Sequence, residues 1–416
     1  RADASNLFGV NINQKWVPLW SAGLAWDLSS ERFYELEWLP KLRIRTTYGR
    51  SGNINNSVTA FLIAIYGTNE YGEQDATIRS AGNPNLRWEK VNTTNVGIDF
   101  AVRNSRISGS VDFFKKIGRD LFGNISTDPT DGTSSLSNRM INYASTKTTG
   151  FDLALQTRNL LNPISWTSDF YISYTNDKVI DYDRSQATTV WNYVSLRIPP
   201  TIGRSMNSLY TMPKIKLDPE NGDPLVLFNG EYGKNYGAYS QSLSVDEMVY
   251  FGNRDPKITG GLRNTVSFKK WSISANIVFK AAYYFNPSTI EYDQFARNGT
   301  GHSDFTRRWK KPGDELITDV PSQPAVVNSS RDLVYTLSAN RVERGDHIRL
   351  RDVNVAYEWS SPIHGLQPIR FYFQATNLGL LYSANKRGLD PDLRSSAQQM
   401  DYLPPVTYSI GFNFKF

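Results

Sequence analysis

The chain contains no cysteine among its 416 residues and only three histidines. Without thiols it has neither a disulfide framework nor a cysteine nucleophile, and this absence suits an oxidising or a reducing compartment equally well. His302, His347 and His364 show no HxxxH or HExxH spacing, so they do not form a recognisable zinc motif. No G-x-S-x-G elbow or phosphate-binding loop occurs either. These absences argue against an enzyme.

Long apolar runs are also missing. The longest, Phe61 to Tyr66, has about six residues, whereas a membrane-spanning helix needs roughly 20. Closed β-barrels also span lipid, and because only alternate residues of their strands are apolar, they are compatible with a mean hydropathy of -0.46. The start of the chain, Arg1 to Ser5, shows no secretion signal, and we expect a fragment of a longer protein rather than a cytoplasmic one.

The charge does not point to nucleic acid. The net charge is +6, but the 46 lysines and arginines are dispersed among 40 acidic residues, and no basic block is present. We expect no nucleic-acid partner. Some basic side chains are expected to meet anionic lipid headgroups, such as those of lipopolysaccharide.

Aromatic residues, in contrast, make up 13% of the chain. They alternate regularly at its end, where one face of a strand would carry Val406, Tyr408, Ile410, Phe412, Phe414 and Phe416. The other face would carry Thr407, Ser409, Gly411, Asn413 and Lys415. This period of two predicts a strand with one face toward lipid and the other toward a watery lumen.

The same pattern predicts about eleven strands. They lie near residues 14–26, 41–50, 96–102, 107–113, 151–155, 166–174, 258–268, 271–279, 348–359, 369–375 and 406–416. The apolar parity changes after Leu350, which predicts a β-bulge there.

The connections alternate in length. Short ones are predicted near 27–40, 103–106, 159–163, 269–270 and 360–368, and long ones near 51–92, 118–146, 179–256, 284–345 and 381–404. Outer-membrane barrels have this asymmetry of short periplasmic turns and long extracellular loops. A soluble β-sandwich or propeller would also alternate, but its connections rarely exceed about 15 residues. An odd number near eleven is about half of the 22 strands of plugged transporters, so we expect further strands upstream.

Several motifs occur in an order that resembles the C-terminal half of the SusC/RagA family of TonB-dependent outer-membrane transporters. They are Trp16-Val-Pro-Leu-Trp-Ser-Ala-Gly-Leu-Ala-Trp26, Lys41-Leu-Arg-Ile-Arg-Thr-Thr-Tyr-Gly-Arg-Ser-Gly-Asn53, Asn83-Pro-Asn-Leu-Arg-Trp-Glu-Lys90, Asn95-Val-Gly-Ile-Asp-Phe100, the 143–155 and 255–262 stretches, Thr306-Arg-Arg-Trp309, Arg349-Leu-Arg-Asp-Val-Asn-Val-Ala-Tyr357 and Asn377-Leu378. Each motif is weak alone, and the order makes them specific.

This resemblance implies that residues 1–416 are the C-terminal part of an all-β transmembrane antiparallel barrel, with the plug and the first strands absent. It implies import of oligosaccharides or oligopeptides across the outer membrane of a Gram-negative bacterium of the Bacteroidetes type. The implied partners are a SusD-like surface lipoprotein, a TonB complex acting through the missing N-terminal region, and the barrel assembly machinery. By the same resemblance, Phe416, with Phe414 and Phe412 before it, would be the signal that this machinery reads.

Other aromatic residues lie within the longest predicted extracellular loop. Trp191, Tyr193, Tyr232 and Tyr236 are candidates to stack on a sugar or pack on a partner, although they could equally form the loop's own small core. Seven tryptophans near strand ends suit anchoring at the membrane interface: Trp16, Trp20, Trp26, Trp38, Trp166, Trp271 and Trp359.

No cofactor or resident metal is expected. The Asp218 to Asp223 segment is rich in oxygen ligands, but it lacks the spacing of an EF-hand, which leaves a loop-bound calcium unsupported. Asn221-Gly222 is instead predicted to form a type I′ hairpin turn. A second reading of the whole chain is a barrel that does not transport and serves as a scaffold or partner-binding platform in an outer-membrane complex.

Overall fold

The computed structural model describes residues 2–4, 16–53, 61–80, 82–83, 85–125, 139–182, 200–360, 368–393 and 404–414. The chain divides into two compact units. The first unit comprises Arg1–Thr157, Ser173–Ala187 and Pro200–Met206, and the second comprises Arg158–Ile172, Thr188–Pro199 and Asn207–Phe416.

The described residues are mostly strand. The strands are β1 (Ala2–Ala4), β2 (Trp16–Pro18), β3 (Trp20–Asp27), β4 (Lys41–Asn53), β5 (Ile63–Thr68), β6 (Gln74–Ser80), β7 (Glu89–Ala101), β8 (Ile107–Ile125), β9 (Arg139–Leu160), β10 (Ile164–Tyr182), β11 (Ser208–Thr211), β12 (Lys216–Leu217), β13 (Pro224–Phe228), β14 (Glu231–Gly233), β15 (Val249–Asn253), β16 (Ile258–Phe268), β17 (Trp271–Ala281), β18 (Tyr284–Phe285), β19 (Glu343–Arg344), β20 (His347–Trp359), β21 (Ile369–Ser383) and β22 (Thr407–Asn413). The helices are α1 (Tyr236–Ser242), α2 (Tyr292–Asn298) and α3 (Ser329–Thr336), with short 3-10 turns between them.

Eleven strands form the main sheet, in the order β22-β21-β20-β17-β16-β10-β9-β8-β7-β4-β3. Each of the eleven predicted segments corresponds to one of these strands, and the predicted short connections join them. The predicted bulge is confirmed: Leu350 pairs with Ile277 and Asp352 with Asn276, which leaves Arg351 without a partner on β17.

In the second unit, the register gives the two faces of the sheet opposite chemistry. One face carries a row of five aromatic residues across five strands: Phe268, Trp271, Tyr357, Phe371 and Phe412. The opposite face carries a row of five polar residues: Thr265, Ser274, Asn354, Gln374 and Ser409. Because side chains alternate between faces along every strand, the period of two in the sequence produces both rows.

The polar face of the first unit contains an ion network. Arg45 donates to Asp99 at 2.8 Å and to Asp112 at 3.1 Å, and Asn95 donates to Asp112 at 3.1 Å. A Cβ on Gly97 would lie 2.9 Å from the Arg45 guanidinium, so glycine leaves the room that the arginine occupies.

The Asn83–Lys90 motif forms a small core in this unit. Leu86 and Trp88 are buried against Val17, and the Asn83 amide donates to the carbonyl oxygen of Met140 at 2.9 Å. The motif therefore fastens the segment before β7 to the neighbouring strands, which is a structural task rather than a binding one.

The predicted long connections are only partly irregular. Within the predicted 118–146 loop, β8 continues to Ile125 and β9 begins at Arg139. The sequence pattern missed this extension because the register shifts between Gly118 and Leu121, where Asp120 has a φ of 58°. A bulge reverses the parity of alternation, so the strand appears to stop.

Residues 207–256 and 284–345, which lie in two of the predicted long connections, build a folded insertion in the second unit, and β11 to β15, β18, β19 and the three described helices lie in it. Its core contains residues from both connections: Tyr210, Met212, Ile215, Val226, Tyr236, Tyr239, Leu243, Met248, Ile290, Tyr292, Val320, Val334 and Tyr335. Side-chain burial of this kind holds the insertion together, since its helices are too short to be stable alone.

Candidate functional site

The four aromatic candidates do not share one environment. Trp191 and Tyr193 lie outside the described residues. Tyr232 is 47% exposed on β14, with the Lys216 Nζ 4.4 Å from its ring centroid. Tyr236 is only 5% exposed, and its hydroxyl donates to the carbonyl oxygen of Pro224 at 2.8 Å. Burial raises the pKa of Tyr236 to about 12, and its ring is part of the core of the insertion rather than open to a solute.

The terminal aromatic residues lie on the aromatic face. Phe412 and Phe414 are exposed and stacked, with ring centroids 5.9 Å apart, and Phe412 also contacts Phe371 at 6.3 Å. Phe416 lies outside the described residues. The seven tryptophans near strand ends are all exposed, and Trp271 packs on Tyr357 at 4.8 Å within the aromatic row.

Two aspartates of the Asp218–Asp223 segment form ion pairs with Lys234. Lys234 Nζ lies 2.6 Å from a carboxylate oxygen of Asp218 and 3.1 Å from one of Asp223. Hydrogen bonds from Lys234 and from the backbone N–H of Glu220 lower the pKa of Asp218. The segment joins β12 to β13 in a hairpin, but the type I′ prediction is wrong, because only Gly222 has a positive φ, of 72°.

Among the residues that the structure describes, no group of three or more His, Cys, Asp or Glu side chains is placed to hold a metal ion. None of the described helices is long and apolar enough to cross a membrane.

A cavity of about 470 Å³ lies on the polar face of the sheet in the second unit. β16, β17 and β20 form its wall, and the 390–393 segment after β21 borders it. Its lining includes Tyr171, Thr259, Lys280, Arg349, Arg351, Asn377, Asp390 and Asp392. None of these residues was among the candidates from the sequence.

Ion pairs hold the segment after β21 against this wall. Arg349 donates to both carboxylate oxygens of Asp390, at 2.5 and 2.6 Å. Asp392 lies 2.6 Å from Lys280 Nζ and 3.4 Å from Nε2 of the buried His347. The hydrogen bond with His347 and the charge of Lys280 hold the pKa of Asp392 well below its usual range, although burial opposes them. The two aspartates thus neutralise the cations nearest to them.

An aromatic surface completes the wall. Tyr171 is 51% exposed, and a Cβ on Gly261 would come within 2.6 Å of its ring. Glycine at this position therefore lets the ring lie against the strand backbone while its other side stays open. A cavity with an aromatic surface, a hydroxyl from Thr259 and several charged groups is suited to bind a polar organic solute.

Comparison with known proteins places the chain as a whole in a family. The family described as TonB dependent receptor-like, beta-barrel matches residues 1–378. TonB-dependent receptor P26 of Formosa agariphila is 24% identical, over all of this chain and 44% of the relative, and TonB-dependent receptor SusC of Bacteroides thetaiotaomicron is 20% identical, over all of this chain and 41% of the relative. The RagAB peptide importer in its closed-closed state superposes with a TM-score of 0.75 at 22% identity, over 97% of this chain and 44% of that one.

The chain thus spans less than half the length of the curated relatives it matches. The matches confirm the resemblance to SusC/RagA proteins and the all-β barrel fold, and they indicate the outer membrane of a Gram-negative bacterium. They also confirm the expectation that the chain is not an enzyme, because the relatives are receptors and transporters. With a family match that covers most of its length, the chain belongs to the TonB-dependent receptor-like β-barrels.

Proposed function

We propose that the chain is the C-terminal barrel part of a TonB-dependent importer of oligosaccharides or oligopeptides in a Bacteroidetes-type outer membrane. The observation that carries this proposal is the two-faced sheet, in which an aromatic row, exposed except for the half-buried Tyr357, lies opposite a polar row. Aromatic residues favour the headgroup zone and polar ones a watery channel, which is what a solute-conducting barrel needs. The plug and the TonB contact would belong to the rest of the protein.

The experiment is uptake by cells that produce the complete protein. Radiolabelled oligosaccharide and oligopeptide mixtures are supplied to cells with and without a functional TonB complex. Import predicts uptake of one mixture that is lost without TonB, and cells without the receptor provide the background. Uptake of neither mixture by a receptor that reaches the outer membrane would refute import and favour a scaffold.

A SusD-like lipoprotein is the proposed extracellular partner. The insertion carries Leu316, Ile317 and Val326, whose side chains are almost fully exposed. Exposed apolar side chains on a folded insertion fit a protein contact better than they fit water. SusC and RagAB relatives support a partner of this kind.

Co-purification tests the partner. A lipoprotein should be recovered with the complete receptor, and the double substitution Leu316→Asp with Ile317→Asp should release it. Lys270→Asp is the control. Lys270 lies in the short turn between β16 and β17, at the end of β17 opposite to the end that leads into the insertion. Recovery unaffected by the double substitution would place the contact elsewhere.

The remaining proposed contacts follow from the aromatic face. Phe412, Phe414 and, beyond the described residues, Phe416 would form the signal read by the barrel assembly machinery. The aromatic row would contact lipid and lipopolysaccharide.

A further inference from the structure

The cavity on the polar face has the size of a binding site for a small group. Its volume of about 470 Å³ lies within the range of about 300 to 1,000 Å³ that is common for small-molecule sites. The charges that line it therefore decide which chemistry it would accept.

Three cations and two carboxylates line the cavity. Asp390 forms an ion pair with Arg349. Asp392 pairs with Lys280 and lies beside His347. Arg351 has no hydrogen bond or ion pair with any residue in the described ranges. Among the described residues, the lining thus has one surplus positive charge, carried by a guanidinium whose donors no described side chain accepts.

The bulge explains why this arginine differs from its neighbours. Arg351 is the extra residue of β20 relative to β17. On β21, Asn377 and Leu378 are skipped between the Thr376 and Gly379 pairs, and Asn377 has a φ of 58°. Arg351 and Asn377 both line the cavity. Bulges interrupt a ladder and redirect a side chain, and they are common beside functional sites.

We propose that this cavity binds a carboxylate group of the imported solute, with Arg351 as the residue that receives it. The guanidinium fork matches the two oxygens of a carboxylate, and Asn377 and the Thr259 hydroxyl lie in the same lining. The carboxylate would come from a uronic acid of an oligosaccharide or from the C-terminus of a peptide. The open side of the Tyr171 ring would stack on a sugar ring in the first case. This inference rests on the proposed import of such solutes.

The test is calorimetric binding to the complete receptor in detergent at pH 7. Each of two probe pairs replaces carboxylates by neutral groups: trigalacturonate with its trimethyl ester, and N-acetylated pentaalanine as free acid with its C-terminal amide. In one pair the acid should bind about tenfold more tightly than its neutral partner. A preference within the sugar pair identifies a uronic acid, and one within the peptide pair identifies a peptide terminus.

Variants locate the preference. Arg351→Gln should abolish it without weakening the neutral probe, and Arg351→Lys should retain part of it, because lysine keeps the charge but loses the fork. Arg370→Gln removes an exposed arginine of β21 that does not line the cavity, and it should leave the preference intact. If the solute is a sugar, Tyr171→Leu should weaken both sugar probes equally.

The inference is overturned if neither acid is preferred, which includes the case in which neither probe binds, or if the preference survives Arg351→Gln. Uptake separates this result from a failure of the proposed function. TonB-dependent uptake without an acid preference would overturn the subsite alone, and an acid preference without uptake would overturn import alone.

Discussion

We expect the folded insertion to depend on the buried ion pair between Asp304 and Arg341, and removal of this pair tests how the insertion is held together. Asp304 accepts from Thr289 at 2.7 Å and from the buried Arg341 at 3.2 Å, and it also accepts from Arg307. Burial alone would raise the pKa of Asp304, but its hydrogen bonds with Arg307 and Thr289 and the charge of Arg341 keep it below the usual value. Asp304→Asn would leave the Arg341 guanidinium buried with no counter-charge from the described residues. Loss of one partner from a buried pair costs about 3 kcal/mol.

Hydrogen exchange of the complete receptor is the appropriate assay, because it reports opening of the insertion separately from opening of the barrel strands. A loss of about 3 kcal/mol raises the opening constant of residues 284–346 roughly 100-fold and leaves β17 unchanged. Arg297→Gln is the matched control, because it removes the exposed partner of Asp293, an ion pair worth less than about 1 kcal/mol. Exchange in Asp304→Asn no faster than in the control would refute the assignment of this pair as the support of the insertion.

Three other predictions concern the end of the chain and the cavity wall. Deletion of Phe416 should lower the fraction of receptor that shows heat-modifiable migration, and unchanged migration would contradict its role in assembly. Gly261→Val should displace the Tyr171 ring, because a Cβ there would lie within 2.6 Å of it. A crystal structure of the variant tests this, and an unmoved ring would contradict it. Because the pKa of Asp392 is lowered in the folded state, its ion pairs contribute stability above the unfolded pKa and lose it as the pH falls below about 4. A spin label at Lys386→Cys should therefore become more mobile as the pH is lowered from 7 through the lowered pKa of Asp392, and constant mobility over that whole range would count against this contribution.

The sheet was predictable from the sequence because each of its strands is two-sided. Ile273, Val355 and Phe373 lie in one row, while their neighbours Ser274, Asn354 and Gln374 lie in the row on the other face. A face that meets lipid and one that meets water impose alternation on every strand, whatever its length. Where a bulge changes the parity, as at Asp120, the prediction ended the strand too early.

The insertion was not predictable in the same way. Its core joins Met212, which follows a four-residue strand, to Val334 in an eight-residue helix. Neither element is long enough to show a period, and the contact depends on segments more than a hundred residues apart. Tyr232 and Tyr236 illustrate the result, since one is exposed on a hairpin and the other lies buried at the start of α1.

The charge of the cavity depends on ion pairing between distant segments, which no local sequence pattern reveals. Arg349 and Arg351 are two residues apart and have the same chemistry, and the parity change after Leu350 predicted only that the strand is irregular between them. Arg349 is neutralised by Asp390, 41 residues further along the chain, whereas Arg351 has no such partner among the described residues. The two arginines therefore differ through a contact made by the segment after β21, and the surplus charge at the cavity would move to Arg349 if that segment paired with Arg351 instead. The net charge of +6 over the whole chain does not indicate which of the two arginines is left unpaired. The position of the segment after β21 determines which arginine is unpaired. Binding of an acid therefore tests the charge at the cavity wall.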